Sequence, residues 1–184
     1  STDNTEDIVQ KINDPRIIYI KIKHSGGAAA RNVGIKSSHG DYIAFQDSDD
    51  EWFSTKLEKQ LRIFQSAPKD VGVVYTGFWK TTKDGKKIYF PPDSIKQKDG
   101  NIYSEILWGN FITNQAAMVR KECFDKAGGY NEKLPGMHEW DLWLRMALQY
   151  KFIYIPEPLV QTYYTADSIT AHSEWRLQGR EIIF

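Results

Sequence analysis

The run Asp41-Tyr42-Ile43-Ala44-Phe45-Gln46-Asp47-Ser48-Asp49-Asp50 decides the fold class. From Tyr42 to Phe45 it is apolar without alternation, as a strand covered on both faces is, and this suits an α/β sheet better than a solvent-facing hairpin. The strand leads directly into an acidic turn. If its direction persists, Asp47 and Asp49 project to one side while Asp50 closes or orients the loop. Carboxylates at the carboxyl end of a buried strand suit Mg2+ or Mn2+, above all where diphosphate oxygens complete the coordination. The same residues suit an ordinary solvated turn and helix cap equally well.

Working outward, the first twelve residues predict a short helix stopped by Asp14-Pro15. The β-branched residues of 17–22 predict a strand. Ser25-Gly26-Gly27 then breaks the chain before a helix over 28–37. Beyond the acidic turn, Thr55 and Glu58 have capping-box spacing, and Leu57, Leu61 and Phe64 recur as the apolar face of the next helix. Residues 71–75 read as a strand, and Asp84-Gly85 predicts a hairpin before Ile88-Tyr89-Phe90. A short helix over 102–108, a strand over 114–120 and a helical turn over 121–127 follow, with Gly128-Gly129 forcing a loop. Trp140, Trp143, Leu144, Ala147 and Leu148 take helical spacings, and Asp141 and Arg145 stand four apart. Residues 152–155 and 159–164 read as two strands around Pro156-Glu157-Pro158, and 174–184 as a weak helix.

The 184 residues are one domain's worth, and 24 basic residues balance 24 acidic ones, so global charge gives no reason to expect a nucleic-acid partner. A single cysteine, Cys123, excludes a disulfide framework or a cysteine-built metal cluster within one chain. It has no local histidine partner that would make it a nucleophile. No run has the length of a membrane span, and the polar start has no basic-then-apolar signal segment. The acidic turn lacks the glycine and distal glutamate of a calcium loop, and no phosphate loop is present. Ser25-Gly26-Gly27-Ala28 lacks the dinucleotide fingerprint and reads as a packing turn, beside which Arg31 could reach a phosphate or simply be solvated or paired.

In order along the chain stand Gly26-Gly27-Ala28-Ala29-Ala30-Arg31-Asn32-Val33-Gly34-Ile35, then residues 40–52 with the acidic turn, then Gly128-Gly129-Tyr130-Asn131, then Trp140-Asp141-Leu142-Trp143-Leu144-Arg145. This combination resembles the family 2 glycosyltransferases of the GT-A fold. The resemblance implies an α/β domain over residues 1–184 with a mostly parallel central sheet flanked by helices. It begins inside the family pattern, so the expected fold is incomplete, N-terminally truncated by an apolar strand, a helix, a second strand and an acidic pair. It further implies that Asp47 helps to hold a nucleotide diphosphate sugar, that Asp49 coordinates Mg2+ or Mn2+, and that Asp50 supports the loop. Asp3 matches a polar position of the nucleotide-side loop, Arg31 lies near the donor, and His172 is a second candidate for the metal or the diphosphate.

On the acceptor side many related sequences carry glutamate-aspartate where this chain has His138-Glu139. Glu139 is therefore the candidate general base, one methylene longer than the usual aspartate, with capping of the helix start as its alternative role. Asp141 either orients that loop or pairs with Arg145, and Trp140 and Trp143 either cover an acceptor pocket or fill the core. The implied activity is inverting transfer of a sugar to a hydroxyl on a glycan, lipid-linked or other acceptor in bacterial polysaccharide or surface-glycan synthesis. The expected location is the cytoplasm, with peripheral association at the inner face of the membrane left open. Two other classes compete: a non-catalytic carbohydrate-binding or assembly module on the same scaffold, and a Mg2+-dependent phosphoryl-transfer enzyme, which lacks a supporting motif.

Overall fold

The structure is a computed structural model and describes residues 3–165 and 173–183. Helices are α1 (Thr5–Gln10), α2 (Gly26–Ser37), α3 (Lys56–Ser66), α4 (Tyr103–Trp108), α5 (Glu122–Ala127), α6 (His138–Ala147) and α7 (Ser173–Ile183). Strands are β1 (Tyr42–Ala44), β2 (Glu51–Trp52), β3 (Val71–Thr81), β4 (Lys87–Phe90), β5 (Ala117–Arg120) and β6 (Lys151–Thr162). They form one sheet in the order β1-β5-β3-β6-β2, with β4 also paired to β3.

At the centre, β3 is buried from Val71 to Phe78, because both of its faces are covered. Val73 and Tyr75 point into a layer shared with Ile106 of α4, Cys123 of α5 and Trp143 of α6. The intervening Val74 packs with Phe64 of α3 on the opposite face. Alternate residues of one strand thus serve two cores, the period-two geometry that an α/β sheet requires.

The sheet is mixed rather than mostly parallel. Of its five strand pairings only β3 with β6 is parallel. The reason lies in the connections. A tight turn at Gly85 (φ 78°) can only reverse the chain into an antiparallel partner, whereas the parallel β6 is reached after a crossover containing α4, α5 and α6. Residues 17–22, predicted to be a strand, form none, and the side chains of Ile17, Ile18, Tyr19, Ile20 and Ile22 are exposed. β-Propensity does not make a strand where no neighbour supplies a ladder.

Three further expectations change. Thr55 makes no side-chain cap on α3, and Glu58 instead pairs with Arg62. Leu57 and Leu61 face solvent, while Lys56, Gln60 and Phe64 are the buried residues of that helix. Gln60 explains the rotation: its Nε2 donates to the carbonyls of Val74 (2.8 Å) and Ala116 (2.9 Å), tying α3 to the sheet. Finally, β6 runs unbroken through Pro156-Glu157-Pro158, which it accommodates by shifts of register opposite Gly77.

Trp140 and Trp143 are core residues. Their indole N–H groups donate to Ile106 O (2.7 Å) and Ile112 O (3.0 Å), which fastens α4 and the segment after it to α6.

Candidate active site

Although most neighbours are antiparallel, β1, β3 and β6 all run in one direction, since β5 reverses between β1 and β3. Their carboxyl ends therefore meet at one end of the sheet, where α/β proteins hold ligands. The acidic turn crosses this end from β1, at one edge, to β2, at the other. Gln46 Nε2 braces the turn by donating to the carbonyls of Asp47 (3.0 Å) and Asp50 (2.6 Å).

Each acid then has its own surroundings. Asp47 accepts from Arg31 Nη2 at 2.7 Å and from Gln115 Nε2 at 2.5 Å. Asp50 accepts from the same Gln115 nitrogen at 2.6 Å and from the backbone N–H of Tyr163 at 3.0 Å. Burial raises the Asp50 pKa to about 6; the Tyr163 N–H opposes the rise, and the charges of Asp49 and Asp47 add to it. Asp49 is exposed, and among the described residues its carboxylate has a single long contact, with Thr165 Oγ1 at 3.4 Å.

Arg31 comes from α2, and its guanidinium lies 5.8 Å from the centre of the Tyr130 ring. Burial works against its charge, but Asp47, Tyr130 and Glu139 together outweigh this and raise its pKa. Tyr130 is itself buried, with its hydroxyl on Asn114 Oδ1 at 2.7 Å. The loop that presents it is built for close approach. Gly128 has φ 77°, and a Cβ at Gly129 would run into Asn32 Oδ1. Asn32 holds the loop through both its backbone groups, accepting from Tyr130 N–H (2.8 Å) and donating to Tyr130 O (2.9 Å). From the other side Arg145 donates to Gly129 O (2.8 Å) and to Asp141 Oδ2 (2.6 Å), the ion pair expected from their spacing.

Glu139 stands in the first turn of α6, half-buried, where the helix N-terminus favours a carboxylate. Met137 enters the helix in the left-handed region (φ 59°), and His138 Nε2 meets Leu134 O at 2.8 Å. Glu139 is near enough to Arg31 and Tyr130 to act on both electrostatically, as Asp47 is.

Of the remaining candidates, Asp3 is exposed and accepts from the backbone N–H (3.1 Å) and hydroxyl (2.6 Å) of Thr5, which lower its pKa. No contact among the described residues joins it to the acidic turn. His172 lies outside the described residues. Cys123 is buried, and burial raises its thiol pKa to about 11, far from a reactive thiolate. Sequence reasoning missed Gln115, whose signal is the polar tripeptide Thr113-Asn114-Gln115 set between the apolar Phe111-Ile112 and Ala116–Val119.

The described residues bring no three metal-ligating side chains close enough to form a cage. They do offer a hard oxygen donor, Asp49, with little competition for its oxygens. This suits a Mg2+ or Mn2+ ion whose other ligands are water and phosphate.

Fold and site together define an α/β protein with a polar site at the carboxyl ends of its strands, and the chain belongs to glycosyl transferase family 2, whose model matches residues 1–128. Among curated proteins it is 51% identical over 67 residues to the E. coli UDP-Glc:alpha-D-GlcNAc-diphosphoundecaprenol beta-1,3-glucosyltransferase WfaP, a match covering 36% of this chain and 27% of that protein. The chain spans between 15% and 54% of the length of the curated relatives it matches. S. aureus TarS 1-349 in complex with UDP-GlcNAc has a similar fold, with TM-score 0.72 and 16% identity over 94% of this chain and 50% of that one. So does mannosyltransferase PcManGT from Pyrobaculum calidifontis in complex with GDP-Man and Mn2+, with TM-score 0.66 and 16% identity over 98% of this chain and 50% of that one. No described helix is long and apolar enough to cross a membrane.

Proposed function

We propose that the protein is an inverting glycosyltransferase that moves a sugar from a nucleotide diphosphate donor to a hydroxyl of a glycan or lipid-linked acceptor in bacterial surface-polysaccharide assembly. The observation that carries this reading is the acidic turn at the carboxyl ends of β1, β3 and β6, where Asp47 is held by Arg31 and Gln115 while Asp49 stays exposed. Family membership supports the reaction class, and WfaP, whose name gives a lipid-diphosphate-linked sugar as acceptor, supports the acceptor class.

In this reading Asp47, held by Arg31 and Gln115, orients the nucleotide side of the donor. Asp49 would hold a divalent ion, which when bound neutralises charge on the departing diphosphate. Glu139 accepts the proton of the acceptor hydroxyl as its oxygen bonds to the anomeric carbon. The bond from that carbon to the diphosphate oxygen breaks, and the electron pair leaves with the diphosphate. One displacement inverts the configuration.

The test is Glu139→Gln, which keeps size but cannot take the proton. Transfer to an acceptor panel should fall by about 100- to 10,000-fold, with donor affinity retained in calorimetry. Near-normal turnover by this variant removes Glu139 as base and turns attention to Asp141. Donor binding without transfer or hydrolysis by the unmutated protein would favour the alternative binding or assembly module.

A further inference from the structure

Gln115 is the middle residue of a 3-10 turn, Asn114–Ala116, that precedes β5, and it is 5% exposed. Its Oε1 accepts from the Thr113 hydroxyl, which leaves Nε2 facing the acidic turn. The flanking residues are pinned as well: Asn114 Oδ1 takes the Tyr130 hydroxyl, and Ala116 O takes Gln60 Nε2. The amide therefore has little freedom. It donates to Asp47 Oδ2 at 2.5 Å and to Asp50 Oδ2 at 2.6 Å.

With Arg31 on Asp47 Oδ1 and the Tyr163 N–H on Asp50 Oδ1, all four oxygens of these two acids face donors of the protein itself. A cation drawn to the turn would have to displace charge-assisted hydrogen bonds to reach them. Asp49 is the exposed acid of the three, and among the described residues its carboxylate meets only the Thr165 hydroxyl.

We propose that Gln115 is a positioning residue that withholds Asp47 and Asp50 from cation binding, so that the turn offers a divalent ion Asp49 alone and binds it firmly only when a diphosphate brings further oxygens. This rests on the proposed function for the identity of the diphosphate, but not for the effect of Gln115 on the bare cation. Metal uptake becomes conditional on donor, and an ion bound in advance cannot lock the turn into a shape the donor does not fit.

The experiment measures Mn2+ alone, by loss of the free-ion electron paramagnetic resonance signal at pH 8, with the unmutated chain, Gln115→Ala and Gln115→Glu. Freeing one oxygen of each carboxylate should tighten Mn2+ binding in Gln115→Ala by roughly ten-fold, the scale of one charge-assisted hydrogen bond. Gln115→Glu, which has nearly the same shape, should tighten it at least as much. Should circular dichroism show the alanine variant unfolded, the glutamate variant decides. Equal or weaker Mn2+ affinity than in the unmutated chain overturns the proposal, because loss of packing alone does not create cation affinity. A parallel titration with UDP separates the two readings. If the unmutated protein fails to bind UDP with Mn2+ while the variants still gain affinity for Mn2+ alone, the glycosyltransferase reading fails and the role of Gln115 stands.

Discussion

Replacing Lys56 by methionine should remove a specific pH dependence of stability. Lys56 is fully buried at the start of α3, and burial lowers its pKa from 10.5 to about 7. That drop corresponds to at most about 5 kcal/mol against the charged form. Two neighbours oppose it: the ammonium lies 4.2 Å from the centre of the Trp52 ring and donates to Gln60 Oε1 at 2.7 Å. A desolvated cation–π contact contributes about 2 kcal/mol and a hydrogen bond to a charged group about 1.5–3 kcal/mol. Neutral lysine keeps part of the second, so burial prevails and the folded pKa stays below the unfolded one.

The sign follows from proton counting. Below pH 7 both folded and unfolded chains hold the proton, and Lys56 imposes a constant penalty. Between pH 7 and 10.5 the unfolded chain holds more of it, so stability rises with pH. Urea unfolding of both proteins from pH 6 to 10, followed by tryptophan fluorescence, isolates this group in the difference between them. Unmutated minus Lys56→Met stability should climb by between about 1 and about 4 kcal/mol from pH 7 to pH 10. The Gln60 oxygen left without its donor shifts the variant by a constant amount and does not alter the slope. A difference that stays flat over this range would refute the argument, since it would mean that Trp52 and Gln60 cancel the burial entirely.

Other outcomes follow from the site. Asp49→Ala should weaken Mn2+-dependent nucleotide binding in calorimetry far more than a substitution at the exposed Lys83 does; unchanged affinity would remove Asp49 from the assignment. Glu139→Asp tests reach, since withdrawing the carboxylate by one methylene should lower the transfer rate while leaving donor affinity intact, and a lower donor affinity would argue against a purely acceptor-side role. Gly129→Ala forces a Cβ against Asn32 Oδ1, so thermal unfolding should show a loss of about 1–3 kcal/mol, and an unchanged midpoint would mean that the Tyr130 loop yields freely.

Elements whose pattern is local were legible in the sequence. The strand before the acidic turn, α2, the hairpin at Gly85 and the helix carrying both tryptophans needed only a hydrophobic period and a turn residue. The face of α3 was not legible. Leucines at 57 and 61 suggest the core side by hydropathy, yet Gln60 turns inward to donate to the backbone carbonyls of Val74 and Ala116, and Lys56 goes with it beneath Trp52. Buried backbone acceptors outweighed the side-chain transfer energies. Residues 17–22 failed for the opposite reason, since their composition suits a strand but a strand exists only by pairing. Sheet direction is also non-local, because it depends on which connections are long enough to cross over.

Three acids within four residues at a strand end would repel one another unless donors arrived from elsewhere, and the donors here come from far along the chain. Arg31 lies 16 residues from Asp47, Gln115 lies 68 residues from it, and Tyr163 lies 113 residues from Asp50. The last two are delivered only when β5 has paired with β1 and β3 and β6 has run its full length beside β3. The organised form of the acidic turn therefore depends on the finished sheet, although its residues are consecutive. This separates two kinds of information in the sequence. The turn's composition announces a polar site, while the division of labour among its carboxylates is written in an amide before β5 and a backbone N–H beyond β6, which no local motif contains.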